Sequence, residues 1–153
     1  MKKEKALHFL SYSTNGVNTL KSNKTTKPKI LIVEDDRNSQ ELFKFLLGKK
    51  YDLSICDEEM SFLAILEKTK ADLVLMDISL NGEKNGLELI RYLRKNNLDY
   101  KHTPIICYTA HAFSQDKINA MNAGADIFLA KPVSIEILIE TIETALQKRE
   151  KAN

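Results

Sequence analysis

Lys29-Ile30-Leu31-Ile32-Val33-Glu34-Asp35-Asp36 is the stretch on which the reading of this chain turns. Four apolar residues, three of them β-branched, run without alternation and stop at three consecutive carboxylates. An unbroken apolar run of this length fits a strand buried on both faces, because a strand with one wet face alternates. Further short runs follow at residues 53–56, Leu73–Met76, residues 105–108 and Ile127–Ala130, which makes five expected strands.

The stretches between them repeat apolar residues three and four apart, the spacing of one helix face. Leu42, Phe43, Leu46 and Leu47 mark the first, Phe62, Leu63 and Leu66 the second, and Leu89, Ile90 and Leu93 the third. Ile118 and Met121 mark the fourth, and Ile135, Leu138, Ile139, Ile142 and Leu146 the fifth, ending near Arg149. Asn38 with Glu41 reads as a capping box, Ser114 and Ser134 as N-caps, and Gly124 as a left-handed C-cap. The order is therefore (βα) five times. Apolar strands joined through helices form a five-stranded parallel sheet, doubly wound, with right-handed crossovers.

Composition fits one such domain. The chain has 153 residues, 43% hydrophobic and 29% charged, the balance of an ordinary globular protein. Its net charge of +2 is unevenly spread, because residues 1–28 hold six Lys and one Glu, which leaves the remainder mildly acidic. No basic stripe for nucleic acid is present in that remainder. Residues 1–28 read as a basic N-terminal extension, residues 29–149 as the domain and residues 150–153 as a short tail. Residues 6–10 form the one apolar cluster of the extension, too short for a secretory signal or a membrane span, so the chain is expected in the cytoplasm without membrane insertion. Cys56 and Cys107 lack paired spacing and are expected as buried, reduced thiols.

In an open parallel sheet, ligands bind beyond the carboxyl ends of the strands. Glu34, Asp35 and Asp36 follow the first expected strand, Asp77 the third, Thr109 the fourth and Lys131 the fifth. Taken singly, each has an ordinary explanation: acids favour helix starts, an Asp or Thr caps a turn, a Lys is a surface charge. Taken together they place acids, a hydroxyl and an amine at one sheet edge. Carboxylates so gathered call for a hard divalent cation, and Mg²⁺ suits oxygen ligands that are completed by phosphate, with Mn²⁺ as a substitute. Lys131 and Thr109 then face phosphoryl oxygens, and Asp77 remains as the nucleophile.

These pieces, with Ile106-Cys107-Tyr108-Thr109-Ala110, Ala123-Gly124-Ala125-Asp126 and Ala130-Lys131-Pro132, resemble the receiver domains of two-component response regulators. The resemblance covers residues 29–149 and implies a flavodoxin-like, CheY-like fold. It implies that Asp77 is the phosphoacceptor and that Glu34, Asp35, Asp77 and the main-chain carbonyl of Ser79 hold the metal, Asp36 competing with Asp35 in a slightly shifted turn. It further implies Thr109 and Phe128 as a conformational switch and a cis Lys131–Pro132 bond. The partners implied are a histidine kinase or histidine phosphotransfer protein and an unnamed downstream protein, the chain acting as a monomer or a phosphorylation-dependent dimer. The chain would be no enzyme in the usual sense, but an acceptor that assists its own phosphorylation and dephosphorylation.

The loop Asn81-Gly82-Glu83-Lys84-Asn85 departs from the family by one extra residue and a missing proline. Three other readings compete. An aspartyl-phosphate phosphatase would want an acid at position 79, where this chain has Ser79. A receiver-like interaction module would have lost the acids, the acceptor or the lysine. A flavin binder would want a phosphate loop where this chain has Glu34 to Asp36.

Overall fold

Strand runs without alternation must be covered on both sides, and the computed structural model, which describes residues 26–81, 85–110 and 113–152, covers them so. Five strands are present: β1 (Lys29–Val33), β2 (Asp52–Cys56), β3 (Leu73–Met76), β4 (Ile105–Thr109) and β5 (Ile127–Ala130). They alternate with α1 (Arg37–Leu47), α2 (Glu59–Lys68), α3 (Gly86–Asn96), α4 (Ser114–Ala123) and α5 (Ile135–Ala152), and a 3-10 turn at Leu98–Tyr100 precedes β4. All pairings are parallel, in the order β2-β1-β3-β4-β5. The doubly wound five-stranded sheet expected from the sequence is the observed fold.

Alternate residues of each strand serve opposite layers, since successive side chains point to opposite faces. Ile30, Ile32, Leu73 and Leu75 pack with Phe43 and Leu47 of α1 and Leu138 and Ile142 of α5. Leu31, Val33, Val74 and Met76 pack with Phe62 of α2, Leu89, Ile90 and Leu93 of α3, and Ala120 and Ala123 of α4. Each such aliphatic side chain contributes about 1.5–3 kcal/mol when fully buried. The last four residues of β1 and all of β3 are buried, whereas the edge strands β2 and β5 are only partly covered.

Several local expectations are corrected. The cap of α1 is Asp36, whose carboxylate accepts from Ser39 N–H at 2.7 Å, and Asn38 lies inside the helix. Asp36 captures the helix start because it sits directly after the strand turn. At α4 the helix starts at Ser114, and Asp116 reaches back to the N–H of Phe113 at 3.2 Å. That helix buries Ala120 and Ala123 and exposes Ile118 and Met121, the reverse of the face the larger side chains suggested. Small side chains let α4 lie close to the sheet, and close approach outweighs the bulk of two residues.

Ser134 does cap α5, accepting from Ile137 N–H at 3.3 Å. α5 runs three residues past Arg149, to Ala152. Gly124 ends α4 at φ 119°, a left-handed conformation where a Cβ would also collide with Arg94. The Lys131–Pro132 bond is cis. Of the basic extension, residues 1–25 lie outside the described residues, as do residues 82–84 of the departing loop.

Candidate functional site

Register alone brings the polar residues together. β1 pairs with β3 so that Val33 faces Met76, and the next residue of each strand is therefore Glu34 beside Asp77. The ladder continues one step further, Asp77 N–H donating to the Val33 carbonyl at 2.9 Å. On the other side β4 pairs with β5 to the last residue, Thr109 facing Ala130, and Lys131 N–H donates to the Thr109 carbonyl at 2.8 Å. Four strand ends thus converge without help from any loop.

Glu34, Asp77 and Thr109 are buried, at 2%, 7% and 0% exposure. Lys131 Nζ donates to Glu34 Oε2 at 2.8 Å and to Asp77 Oδ2 at 3.3 Å, and it stands 5.1 Å from the centre of the Tyr108 ring. The other carboxylate oxygens are also engaged. Glu34 Oε1 accepts from Asp36 N–H at 3.1 Å, Asp77 Oδ1 from Ser79 N–H at 2.9 Å, and Asp35 Oδ2 from Asn81 N–H at 2.8 Å. The hydroxyls of Ser79 and Thr109 are hydrogen bonded at 2.9 Å.

Burial raises the pKa of Glu34, and the hydrogen bond from Lys131 only partly offsets this. Burial by itself would lower the pKa of Lys131. The hydrogen bond to Glu34 and the charge of Asp77 overturn that, and the ammonium is held above its ordinary value. The lysine therefore stays charged while it faces more negative charge than it can balance.

Glu34, Asp35 and Asp77 each offer an oxygen, and these oxygens all lie within 4.8 Å of one another. An oxygen-only set of this size fits a hard divalent ion that keeps some of its water. Asp36 takes no part in this cluster, because its carboxylate is committed to the N-terminus of α1. The acidic pair beside Asp77 is accordingly Glu34 with Asp35. Ser79, whose carbonyl the resemblance adds to the ligands, is tied to Asp77 through its own N–H.

Gly86 starts α3 against the end of β3, where a Cβ would lie 2.2 Å from the carbonyl oxygen of Asp77. Asn85 and Glu88 form a reciprocal capping box at this start, each bond 3.2 Å long. Phe128 is half-buried on β5 and packs against the α2–α3–α4 layer. His111, two residues past Thr109, lies outside the described residues. Sequence reasoning missed the Ser79–Thr109 contact, the Asn81–Asp35 contact and Gln40, whose amide donates to the Glu34 carbonyl at 2.6 Å. Gln40 carried a usable signal, since it falls one helical turn after Asp36 and faces the strand end.

Comparison with known proteins agrees with the fold. Residues 30–143 match the response regulator receiver domain family. The chain is 31% identical over 118 residues to the polar-differentiation response regulator DivK of Brucella anthropi, covering 76% of this chain and 94% of that one. A CheY-like response regulator receiver domain protein from Methanospirillum hungatei superposes with a TM-score of 0.76 at 30% identity, over 84% of this chain and all of the other. The receiver domain of a sensor histidine kinase from Pseudomonas aeruginosa, whose structure holds a magnesium ion in the active-site cleft, superposes at 0.72 with 26% identity, over 80% of this chain and 99% of that one. This chain belongs to the receiver domains of two-component response regulators. Among the described residues no helix is long and apolar enough to cross a membrane.

Proposed function

We propose that this receiver domain accepts a phosphoryl group on Asp77 from a phosphohistidine of a kinase or phosphotransfer protein, in a reaction dependent on Mg²⁺ or Mn²⁺. The observation that carries the reading is the convergence of Glu34, Asp35 and Asp77 oxygens within 4.8 Å, with the Lys131 ammonium on Asp77 Oδ2. Asp77 Oδ1 is held by the main-chain N–H of Ser79 and Oδ2 only by the longer bond from the Lys131 side chain, so Oδ2 is the oxygen more readily released for attack. A bond forms from Oδ2 to phosphorus while the nitrogen–phosphorus bond of the donor breaks, and the electron pair leaves with the imidazole.

Glu34, Asp35 and Asp77 would hold the divalent ion, with the Ser79 carbonyl, and the ion supplies charge neutralisation to an otherwise repulsive cluster. Lys131 can shift from Asp77 to the equatorial phosphoryl oxygens, where charge accumulates. The Thr109 hydroxyl, now on Ser79, supplies a second donor, and its movement makes room that Phe128 of β5 can enter. The chain thereby assists its own phosphorylation and its later hydrolysis, and passes the signal to a separate protein in the cytoplasm.

The test is intact-protein mass after incubation with a small acyl phosphate. A gain of one phosphoryl group is expected with Mg²⁺, none with a chelator, and none in Asp77→Asn. An unmodified wild-type mass in Mg²⁺, or a modified Asp77→Asn, overturns the reading.

A further inference from the structure

α1 carries an apolar flank that the fold does not use. Phe43 and Leu47 face the core, whereas Leu42 is 54% and Phe45 74% exposed. Leu42 also borders a groove of about 120 Å³ shared with Leu46 of α1 and with Tyr108, Lys131 and Val133. Two large exposed side chains one turn apart, continuous with an apolar groove, form a surface suited to a short apolar segment.

The chain itself offers one such segment close by. The described chain begins at Thr26 and Lys27, and both line a cleft with Lys44, Gly48 and Tyr51 at the C-terminal end of α1. Lys27 Nζ donates to the Gly48 carbonyl at 3.3 Å, so the chain enters the domain at that end. Phe45 lies three residues before Gly48, about 4.5 Å along the helix axis. Upstream, Leu7, Phe9 and Leu10 are separated from Thr26 by fifteen residues, 11–25, rich in Ser, Thr and Asn. Such a length spans on the order of 50 Å when extended and about 20 Å on average, against about 16 Å for the whole of α1.

We infer that Leu7, Phe9 and Leu10 of the chain's own N-terminal segment dock on the Leu42–Phe45 flank of α1. Chain direction supports the pairing. A segment running from Gly48 back along α1 brings Lys5, Lys3 and Lys2 toward the N-terminal end of the helix, where Asp36 and Asp35 stand. Basic residues thus approach acidic ones when the apolar cluster sits on Phe45 and Leu42. Tethering makes a weak contact sufficient, because a short linker gives an effective concentration of about a millimolar. The exposed Phe113 before α4 and Ile118 and Met121 within it serve less well, since α4 lies on the opposite face of the sheet.

The test reads docking itself and does not depend on phosphorylation. Cys56 and Cys107 are buried and silent, so Glu41→Cys in the full chain places a single reactive thiol on the α1 flank. Its rate of maleimide labelling is compared with that of the same chain carrying Leu7→Ser, Phe9→Ser and Leu10→Ser. An effective concentration twice the dissociation constant leaves one third of α1 uncovered, so labelling should rise about threefold in the Ser chain. Lys49→Cys, near the same flank, is a second reporter, and Glu67→Cys on α2 should not respond. Equal rates at both α1 reporters, or protection found instead at Lys117→Cys on α4, overturn the inference. Protection that fades on tenfold dilution also overturns it, because a second copy would then supply the segment.

Discussion

The two ends of the sheet solve the same problem in opposite ways. At the amino ends of the strands Arg94, Asp126, Asp72 and Tyr100 are all matched, the buried Tyr51 hydroxyl before β2 being the exception. Arg94 donates to the carbonyls of Gly124, Tyr100, Lys101 and Thr103 at 2.7–3.2 Å and to Asp126 Oδ2 at 2.9 Å. Asp126 in turn accepts from Ile105 N–H at 2.8 Å, and Asp72 accepts from Lys29 N–H at 2.8 Å and from Arg149. The Tyr100 hydroxyl donates to the Thr69 carbonyl at 3.0 Å and accepts from Ala71 N–H at 2.9 Å. At the carboxyl ends one ammonium faces Glu34, Asp35 and Asp77. An edge whose charges are balanced holds the fold together, and an edge short of positive charge keeps an affinity for ligands.

Removing a charged group should therefore cost stability at the amino ends and leave it unchanged or raised within the acidic cluster. The largest effect is expected from Arg94→Ala, which strands four carbonyls and Asp126 and should cost about 3 kcal/mol, read from the urea midpoint. A loss below about 1 kcal/mol would show that water replaces the guanidinium freely. Gly86→Ala should cost about 2 kcal/mol, because its Cβ would meet the carbonyl of Asp77, and should also weaken Mg²⁺ binding by displacing that strand end.

Neighbouring acids divide next. Asp36→Ala should lower stability by about 1 kcal/mol through the lost cap while Mg²⁺ affinity holds. Asp35→Asn should leave stability unchanged or raise it by a few tenths of a kcal/mol, by relieving repulsion, and should weaken Mg²⁺ at least about tenfold. Calorimetric titration reads both, and the reverse order would reassign the acidic pair.

The smallest effect concerns the core between the ends. Burial pushes the thiols of Cys56 and Cys107 up to about 12, so both should resist labelling at pH 8 until the chain is unfolded. The unfolded chain ionises these thiols near 9 whereas the folded chain keeps them protonated, so stability should fall as pH rises from 9 toward 12. Tyr51 and Tyr100, also raised by burial, act in the same direction. A Cys56→Ala, Cys107→Ala chain should show a shallower decline of the urea midpoint over that range.

How much was legible in the sequence follows from the same contrast. β1 and β3 could be read because burial on both faces leaves an uninterrupted apolar run. The site could be read because strand ends expose residue identity directly, and Glu34, Asp77, Thr109 and Lys131 each follow or close a run. The buried face of α4 could not, since Ala120 and Ala123 carry too little hydrophobic signal to outvote Ile118 and Met121. The cap of α1 was placed two residues late, at Asn38, because only the turn after β1 fixes where the helix begins and gives the place to Asp36. Arg94 gave no signal at all. In the last turn of a helix it looks like a surface cation, and its partners are mostly main-chain carbonyls that any residue provides.

Because Glu34 and Asp77 each stand one residue beyond the paired Val33 and Met76, strand spacing acts as the ruler of the site and the connecting segments do not. Lengthening the turn between α1 and β2, or between α2 and β3, adds chain at the far end of the sheet and leaves the acids in place. One residue inserted within Lys29–Val33 would instead turn each side chain downstream of it on β1 to the other layer and carry Glu34 away from Asp77. The molecule is thus tolerant of drift in length along most of its contour and intolerant over a few ladder rungs, and those rungs are where relatives of very different sequence should still agree in length.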